Sequence, residues 1–350
     1  MADLLRALYR VFPHRLVEER MRGGAAVVLA AEPLVLYVFD WVLAELPGAL
    51  LPVFRRYRYR PVYLLVELSW ARDDAWNVDR LARWKAEHLR RHPNHRVHVL
   101  ANAESEHRMM TARGLGSAWV SHNAFADPEV FRPLPDRPKR FDAVYDARVC
   151  PFKRHELAAG VRSLSLVTAK VDRFHDEAYV RSVRELLPGA HWRNDPLDPG
   201  WRSLSGPEIN EAIHEARVGL CLSAVEGAMF ASVQYLLAGL PVVSTASRGG
   251  RDAFFDPDCA RIVADDPAAV AEGVREMASC PLSPAEIRRR TLERIAAHRD
   301  RLFELLDAIA FAEGTPRVPR SRWSAWTAPT RIADVGPGEI FRRIEEARRG

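Results

Sequence analysis

Residues 218–255, VGLCLSAVEGAMFASVQYLLAGLPVVSTASRGGRDAFF, decide how the chain is read. They hold a short apolar run (218–222), a turn carrying Glu226-Gly227 and an apolar helical stretch (231–237). A Gly239-Leu240-Pro241 break, a β-branched run (242–245) and a Gly249-Gly250 turn follow. Strand, helix and strand in such quick succession predict a βαβ unit in a parallel sheet. A sheet of that kind binds its ligand beyond the carboxyl ends of its strands. Glu226 and Gly249-Gly250 each come just after a strand, so both are expected to open into one cleft.

Working outward, the same alternation continues in both directions. Upstream, a strand over 141–145 leads into Asp146-Ala147-Arg148-Val149-Cys150-Pro151-Phe152-Lys153 and a helix from about His155. A strand over 164–169 and a helix over about 176–187 come next. Ser205 with Glu208 three residues on is a capping-box pattern that starts another helix. Downstream, Asp265-Asp266-Pro267 and Ser283-Pro284-Ala285-Glu286 cap two helices reaching about Met277 and Ala312. Nearer the N-terminus the apolar runs 25–31, 34–39, 62–68, 97–100 and 118–120 are separated by helical stretches over 42–56, 78–91 and 104–113, which predicts a parallel α/β domain there too. Three prolines within 133–138 can continue neither a helix nor a central strand, so the linker is placed there. The division expected is an N-terminal Rossmann-like domain over 1–135, a second domain over 136–315, and a tail over 316–350 whose last helix returns to the first domain.

Composition narrows the function classes. The 350 residues suffice for two domains of ordinary size, and 48% hydrophobic with 28% charged content is that of a globular protein. The net charge of +5 comes largely from scattered arginines and favours an anionic partner without naming it. No long basic run is interleaved with aromatics, so nucleic acid ranks below a small anionic molecule. Cys150, Cys221, Cys259 and Cys280 form no CxxC pair and read as core thiols of a reducing, cytoplasmic protein. No HExxH or Asp-rich cluster points to a metal. Nor is there a Gly-x-Ser-x-Gly elbow or a Walker loop. Neither a signal peptide nor a run of roughly 18 apolar residues is found. Arg6, Arg10 and Arg15 lie between apolar residues at near-helical spacing, a pattern that suits peripheral contact with the inner face of a membrane, although Pro13 interrupts it.

Three features could carry chemistry. Arg148 and Lys153 lie five residues apart across a strand-to-helix junction, where a forked guanidinium and a compact ammonium could hold a diphosphate. Glu226 precedes Gly227, which lets backbone approach a ligand closely, and its carboxylate could accept bonds from sugar hydroxyls. Gly249-Gly250 would expose backbone N–H groups at the start of a helix, a place for an anion. Each also has a plainer reading, as solvated basic residues, a helix-terminal charge and a tight turn.

Taken together in order and spacing, Arg148-x4-Lys153, Glu226-Gly227, Gly239-Leu240-Pro241-Val242-Val243 and Gly249-Gly250 resemble the donor-binding domain of retaining glycosyltransferases of family 4. The likeness covers about 141–277. It implies the glycosyltransferase B (GT-B) fold, two Rossmann-like domains facing across a cleft, with a nucleotide sugar as donor and no metal or other cofactor. It implies that Arg148 and Lys153 hold the donor diphosphate and that Glu226 contacts the transferred sugar, with Gly227, Gly249 and Gly250 beside them. The second glutamate of the family's E-x7-E motif, which meets the ribose, falls on Gln234, whose amide accepts a bond but bears no charge. In the first domain, 36–41, 102–107 and Asn123 with Asp127 and Phe131 resemble the family's strands and pre-linker segment. The glycine-rich opening loop has no counterpart near the N-terminus. The resemblance implies transfer of a sugar to a glycan, lipid or small-molecule acceptor. The alternatives are a binding or partner subunit without turnover, and an isomerase or phosphorylase on the same fold.

Overall fold

A computed structural model describes residues 26–40, 50–135, 137–171, 175–326 and 337–349. The N-terminal stretch with Arg6, Arg10 and Arg15, Gly23-Gly24 and most of the helix expected over 42–56 lie outside the described residues. The chain forms two compact units, Met1–Phe125 with His298–Gly350, and Ala126–Ala297. The division therefore falls at 125/126, before the proline-rich stretch, and again inside a long helix.

The first unit is built on strands β1 (Ala26–Ala31), β2 (Leu34–Phe39), β3 (Val62–Glu67), β4 (His95–Ala101) and β5 (Ser117–Trp119), in that spatial order. Strands β2 to β5 are parallel, and β1 pairs with β2 antiparallel. The wholly parallel sheet expected here is thus corrected at its edge. Only Glu32 and Pro33 separate Ala31 from its partner Leu34, and two residues make a hairpin, whereas a parallel return needs a dozen or more. All six residues of β3 are buried, as befits a strand covered on both faces. Helices α1 (Leu51–Arg56), α2 (Ala75–Arg91) and α3 (Glu104–Ala112) connect the strands. Asp74 caps α2 by accepting the Asn77 N–H at 2.9 Å.

The second unit holds β6 (Phe141–Asp146), β7 (Leu164–Val167), β8 (His191–Trp192), β9 (Ala216–Cys221), β10 (Val242–Thr245) and β11 (Ala260–Val263). Their spatial order is β11-β10-β9-β6-β7-β8, every neighbouring pair parallel. The chain starts in the middle at β6, winds outward through β7 and β8, then crosses to the other side for β9, β10 and β11. The order therefore reverses between β6 and β9, which is the topological switch point of a doubly wound sheet. The covering helices are α4 (Glu177–Leu186), α5 (Gly206–His214), α6 (Phe230–Leu237) and α7 (Pro267–Met277). The capping box of α5 forms as its sequence requires, with the Ser205 N–H donating to Glu208 Oε2 at 2.8 Å. The edge strands β8 and β11 carry no sequence signal of their own: β8 is two residues long, and Arg261 and Ile262 leave β11 half in solvent.

Two close approaches fix α6 against its surroundings. Gly219 in β9 lies under the Tyr235 ring, where an added Cβ would meet ring carbons at 2.3–2.8 Å. Gly239 has φ +80°, and a Cβ there would meet Pro284 at 2.6–2.7 Å. Helix α8 (Pro284–Glu313) begins in the second unit and ends in the first, the division falling at His298. Helix α9 (Pro337–Arg349) lays Ile340 and Ile344 into the core of the first unit beside Val28, Leu36 and Leu64.

Candidate functional site

The residues singled out in the sequence gather at the carboxyl ends of β6, β9 and β10. Lys153 follows β6 by seven positions and Glu226 follows β9 by five; their side chains form an ion pair, each residue 5% exposed. The pair sits at the switch point, since β6 and β9 are the adjacent strands where the winding reverses. A carboxylate and an ammonium buried together satisfy each other, and neither survives alone in such a place without cost.

The backbone around the pair is fixed by short bonds. The Lys153 carbonyl accepts from the Tyr145 hydroxyl at 2.5 Å. The Glu226 N–H donates to the Arg248 carbonyl at 3.0 Å, the Arg248 N–H to Ala224 at 2.9 Å, and the Gly250 N–H to Gly227 at 2.7 Å. Val225 and Arg248 form a parallel bridge, so the Glu226-Gly227 loop and the Gly249-Gly250 turn are zipped together. Gly249 takes φ +96°, open to glycine and costly for other residues.

Two expectations are corrected here. No helix follows Gly249-Gly250: residues 251–254 form turns, and the Gly250 N–H is already committed to Gly227. The helix expected from His155 is a pair of 3-10 turns, Pro151–Lys153 and His155–Ala158. Arg154, at φ 52° in the left-handed region, separates them, so no α-helical ladder can run through. Arg148 lies in the same loop, half-buried, and its carbonyl accepts from the Cys150 thiol at 3.7 Å. Gln234 is half-buried on α6, and among the described residues no hydrogen bond joins its amide to Lys153 or Glu226.

Two arginines that the sequence reading passed over hold the site's frame. Arg154 donates to the Leu222 carbonyl at 2.6 Å, to the Thr245 hydroxyl at 2.7 Å and to both Asp265 oxygens, tying the ends of β9 and β10 to the loop after β11. Arg251 is fully buried and donates to the carbonyls of Ser223 and Thr245, to the Ser244 hydroxyl at 2.7 Å and to Asp252 at 2.8 Å. Arg251→Met is therefore expected to cost about 3 kcal/mol or more, because it removes every one of these bonds at a fully buried place and leaves the Thr245 carbonyl only the Ser244 hydroxyl. The denaturant midpoint of the variant checks this. No sequence signal marks which of several neighbouring basic residues turns inward.

The local electrostatics follow from burial. Desolvation raises Asp146, at the end of β6, to about 7, against the pull of nearby Lys153. Its N–H donates to the Tyr235 hydroxyl at 2.6 Å. Burial, reinforced by Lys153, lowers His155 to about 3, so it is neutral. Burial likewise pushes the Cys221 thiol up to about 12. All four cysteines are free, and Cys150, Cys221 and Cys259 are buried. Among the described residues no group of three or more His, Cys, Asp or Glu is placed to hold a metal ion. Among them also, no helix is long and apolar enough to cross a membrane.

A second polar cluster occupies the first unit at the carboxyl ends of β2 and β3. Tyr37, Glu67 and His122 are all buried, and the Tyr37 hydroxyl lies 3.1 Å from Glu67 and 2.5 Å from His122 Nδ1. Burial raises Glu67 well above the usual carboxylate range and lowers His122 to about 3, which leaves the imidazole neutral.

No family model matches the chain, and no curated protein matches it. Solved structures do. HepE from Anabaena in complex with UDP and glucose superposes with a TM-score of 0.54 at 13% identity, over 77% of this chain and 83% of that one. Sucrose-phosphate synthase from Thermosynechococcus elongatus gives 0.52 at 13% identity, over 99% and 77%. TarM gives 0.53 at 13% identity, over 78% and 54%. At such identities the likeness bears on architecture, and it shows that this chain has the α/β, parallel-sheet fold of the GT-B glycosyltransferases.

Proposed function

We propose that the chain transfers a sugar from a nucleotide-diphosphate sugar to an acceptor hydroxyl, with retention at the anomeric carbon and without a metal, in the manner of family 4. The observation that carries this reading is the meeting of Lys153 and Glu226 at the switch point between β6 and β9, where doubly wound sheets receive nucleotides. That HepE has been solved with UDP-glucose supports a donor of the same class. As the glycosidic bond breaks, negative charge grows on the departing diphosphate, and Arg148 and Lys153 are the cations to stabilise it. Glu226, released from Lys153 by the arriving diphosphate, orients the sugar hydroxyls. Gly227, Gly249 and Gly250 let the donor approach the backbone, and Gln234 meets the ribose through a neutral amide. The bond that forms joins the acceptor oxygen to the anomeric carbon, and the hydroxyl proton leaves with the diphosphate oxygen. The acceptor is a glycan, a lipid or a small molecule.

Calorimetric titration of a panel of nucleoside diphosphates and their sugars tests the reading. The wild type is expected to bind one base tightly. Arg148→Ala with Lys153→Ala is expected to weaken binding by 10²-fold or more, since hydrogen bonds to charged groups are worth about 1.5–3 kcal/mol each. Failure of the wild type to bind any of them would sink the proposal. A second reading, donor binding without turnover, is favoured by the neutral Gln234; tight binding with no nucleoside diphosphate released in the presence of varied acceptors would select it.

A further inference from the structure

The second unit's sheet has another end. The segments that precede β6, β9 and β10 surround, together with the α7–α8 connection, a half-open cavity of about 530 Å³. None of its lining residues belongs to the site above, which lies beyond the opposite ends of the same strands. Strands of four to six residues separate the two by about 13–20 Å.

The lining is divided by chemistry. Leu240, Met277, Leu282 and Ile287 are apolar and come from the α6–β10 connection, the end of α7, the α7–α8 connection and the first turn of α8. Arg137, Lys139, His214 and Arg217 come from the strand-leading linker and the α5–β9 junction, which are held side by side. Lys139 Nζ donates to the Ala216 carbonyl at 2.8 Å, the Leu134 N–H donates to His214 Nε2 at 3.0 Å, and Arg137 lies 3.2 Å from Glu211. His214 Nδ1 faces the Asn210 carbonyl at 2.7 Å, so the ring is the neutral Nδ1–H tautomer. Among the described residues lining the cavity none is acidic. Desolvation and the like charge of Arg217 lower Lys139 to about 8. Cations so crowded gain most from an anion placed among them.

We propose that this cavity binds a small amphipathic anion, a single apolar body carrying one carboxylate or phosphate. The head group sits at Lys139 and Arg217, and the body lies against Leu240, Met277 and Ile287. The volume lies within the range of about 300–1,000 Å³ usual for small-molecule sites, and so does a mostly apolar lining with a few convergent polar groups. The inference stands independently of the transferase reading.

The test is titration calorimetry of the full chain with decanoate, with decyl phosphate and with 1-decanol, each kept below its aggregation limit. Two variants are compared with the wild type: Lys139→Gln with Arg217→Gln, and Ala278→Trp, which fills the cavity from a half-buried position. One anion is expected to bind saturably at one site, at least tenfold more weakly in the double variant and not at all in the filled one, while the ligand-free thermal midpoints stay close to wild type. Whichever of the carboxylate and the phosphate binds more tightly identifies the head group. Absence of saturable binding by both anions would overturn the proposal. So would equal affinity for decanol, or binding unchanged in the folded double variant.

Discussion

Lys153→Met is expected to lower the stability of the second unit by about 3–5 kcal/mol, the cost of leaving one member of a buried ion pair without its partner. Both residues are 5% exposed, so water does not replace the lost ammonium around Glu226. Glu226→Gln alone should cost less, because an amide can still accept from Lys153, while a cation is left with a neutral partner. The informative comparison is Lys153→Met with Glu226→Gln. Removing both charges is expected to restore most of the stability lost by Lys153→Met, as replacement of whole buried pairs generally does. Donor binding should not return with it, since the group proposed to hold the diphosphate is gone. Urea midpoints of the four proteins, read beside nucleotide titrations, separate the two roles. Recovery of both together would mean that the pair only supports the fold, and recovery of neither that the loop depends on Lys153 for more than charge.

Acidification is expected to destabilise the two units unequally. In the first unit burial lowers His88 to about 4, His95 to about 3, His122 to about 3 and His298 to about 4, all from 6.5. The like charges of His88, His92 and His95 add to this, their ring centroids lying 4.6–5.1 Å apart, with His92 stacked on His95 and His88 tilted against both. A histidine with a depressed folded pKa takes up its proton only on unfolding. Its contribution is therefore intact above pH 6.5 and is lost as pH falls from there toward 3–4. Glu67 runs the other way: its raised pKa means that the folded form holds a proton the unfolded form releases, so acid favours it. Burial also lowers His92 and His98 and raises Glu106. Six lowered histidines against two raised carboxyls leave this unit a net loss of stability between pH 6.5 and 5.5. In the second unit His155, at about 3, and His214, also lowered by burial, are opposed over the same window by Asp146, at about 7, and Asp252, also raised by burial. Hydrogen exchange corrected for intrinsic rates at the two pH values should show protection falling in β2, β3 and β4 and nearly unchanged in β6 and β9. Equal losses in both units would contradict the assignment.

The sequence showed the frame of the second unit well because its central elements are punctuated by residues with one physical use each. Ser205 with Glu208, Asp266 before Pro267, and Gly239 before Pro241 bound their helices where expected. What it could not show were features settled by packing between distant residues. Lys153 and Glu226 are 73 positions apart, and nothing local says that they pair. Arg154 and Arg251 look like any exposed arginine until the carbonyls at the ends of β9 and β10 are placed around them. The helix expected from His155 is a 3-10 turn that ends at Ala158, closed by i→i+3 bonds, and nothing in the sequence marks the left-handed backbone of Arg154 that leads into it. The edge strands β8 and β11 were missed for the opposite reason, being too short and too wet to carry a pattern.

The zipping of the Glu226-Gly227 loop to the Gly249-Gly250 turn bears on how fast a ligand is captured. Backbone bonds from Arg248 and Gly250 already hold these segments in register, so an incoming molecule has no loop to order before it can seat. On the proposed reading, capture includes the exchange of a side-chain partner, Lys153 leaving Glu226. Association at such a site follows a single concentration-dependent phase without a slow isomerisation behind it, and differences among ligands show up in how long each one stays.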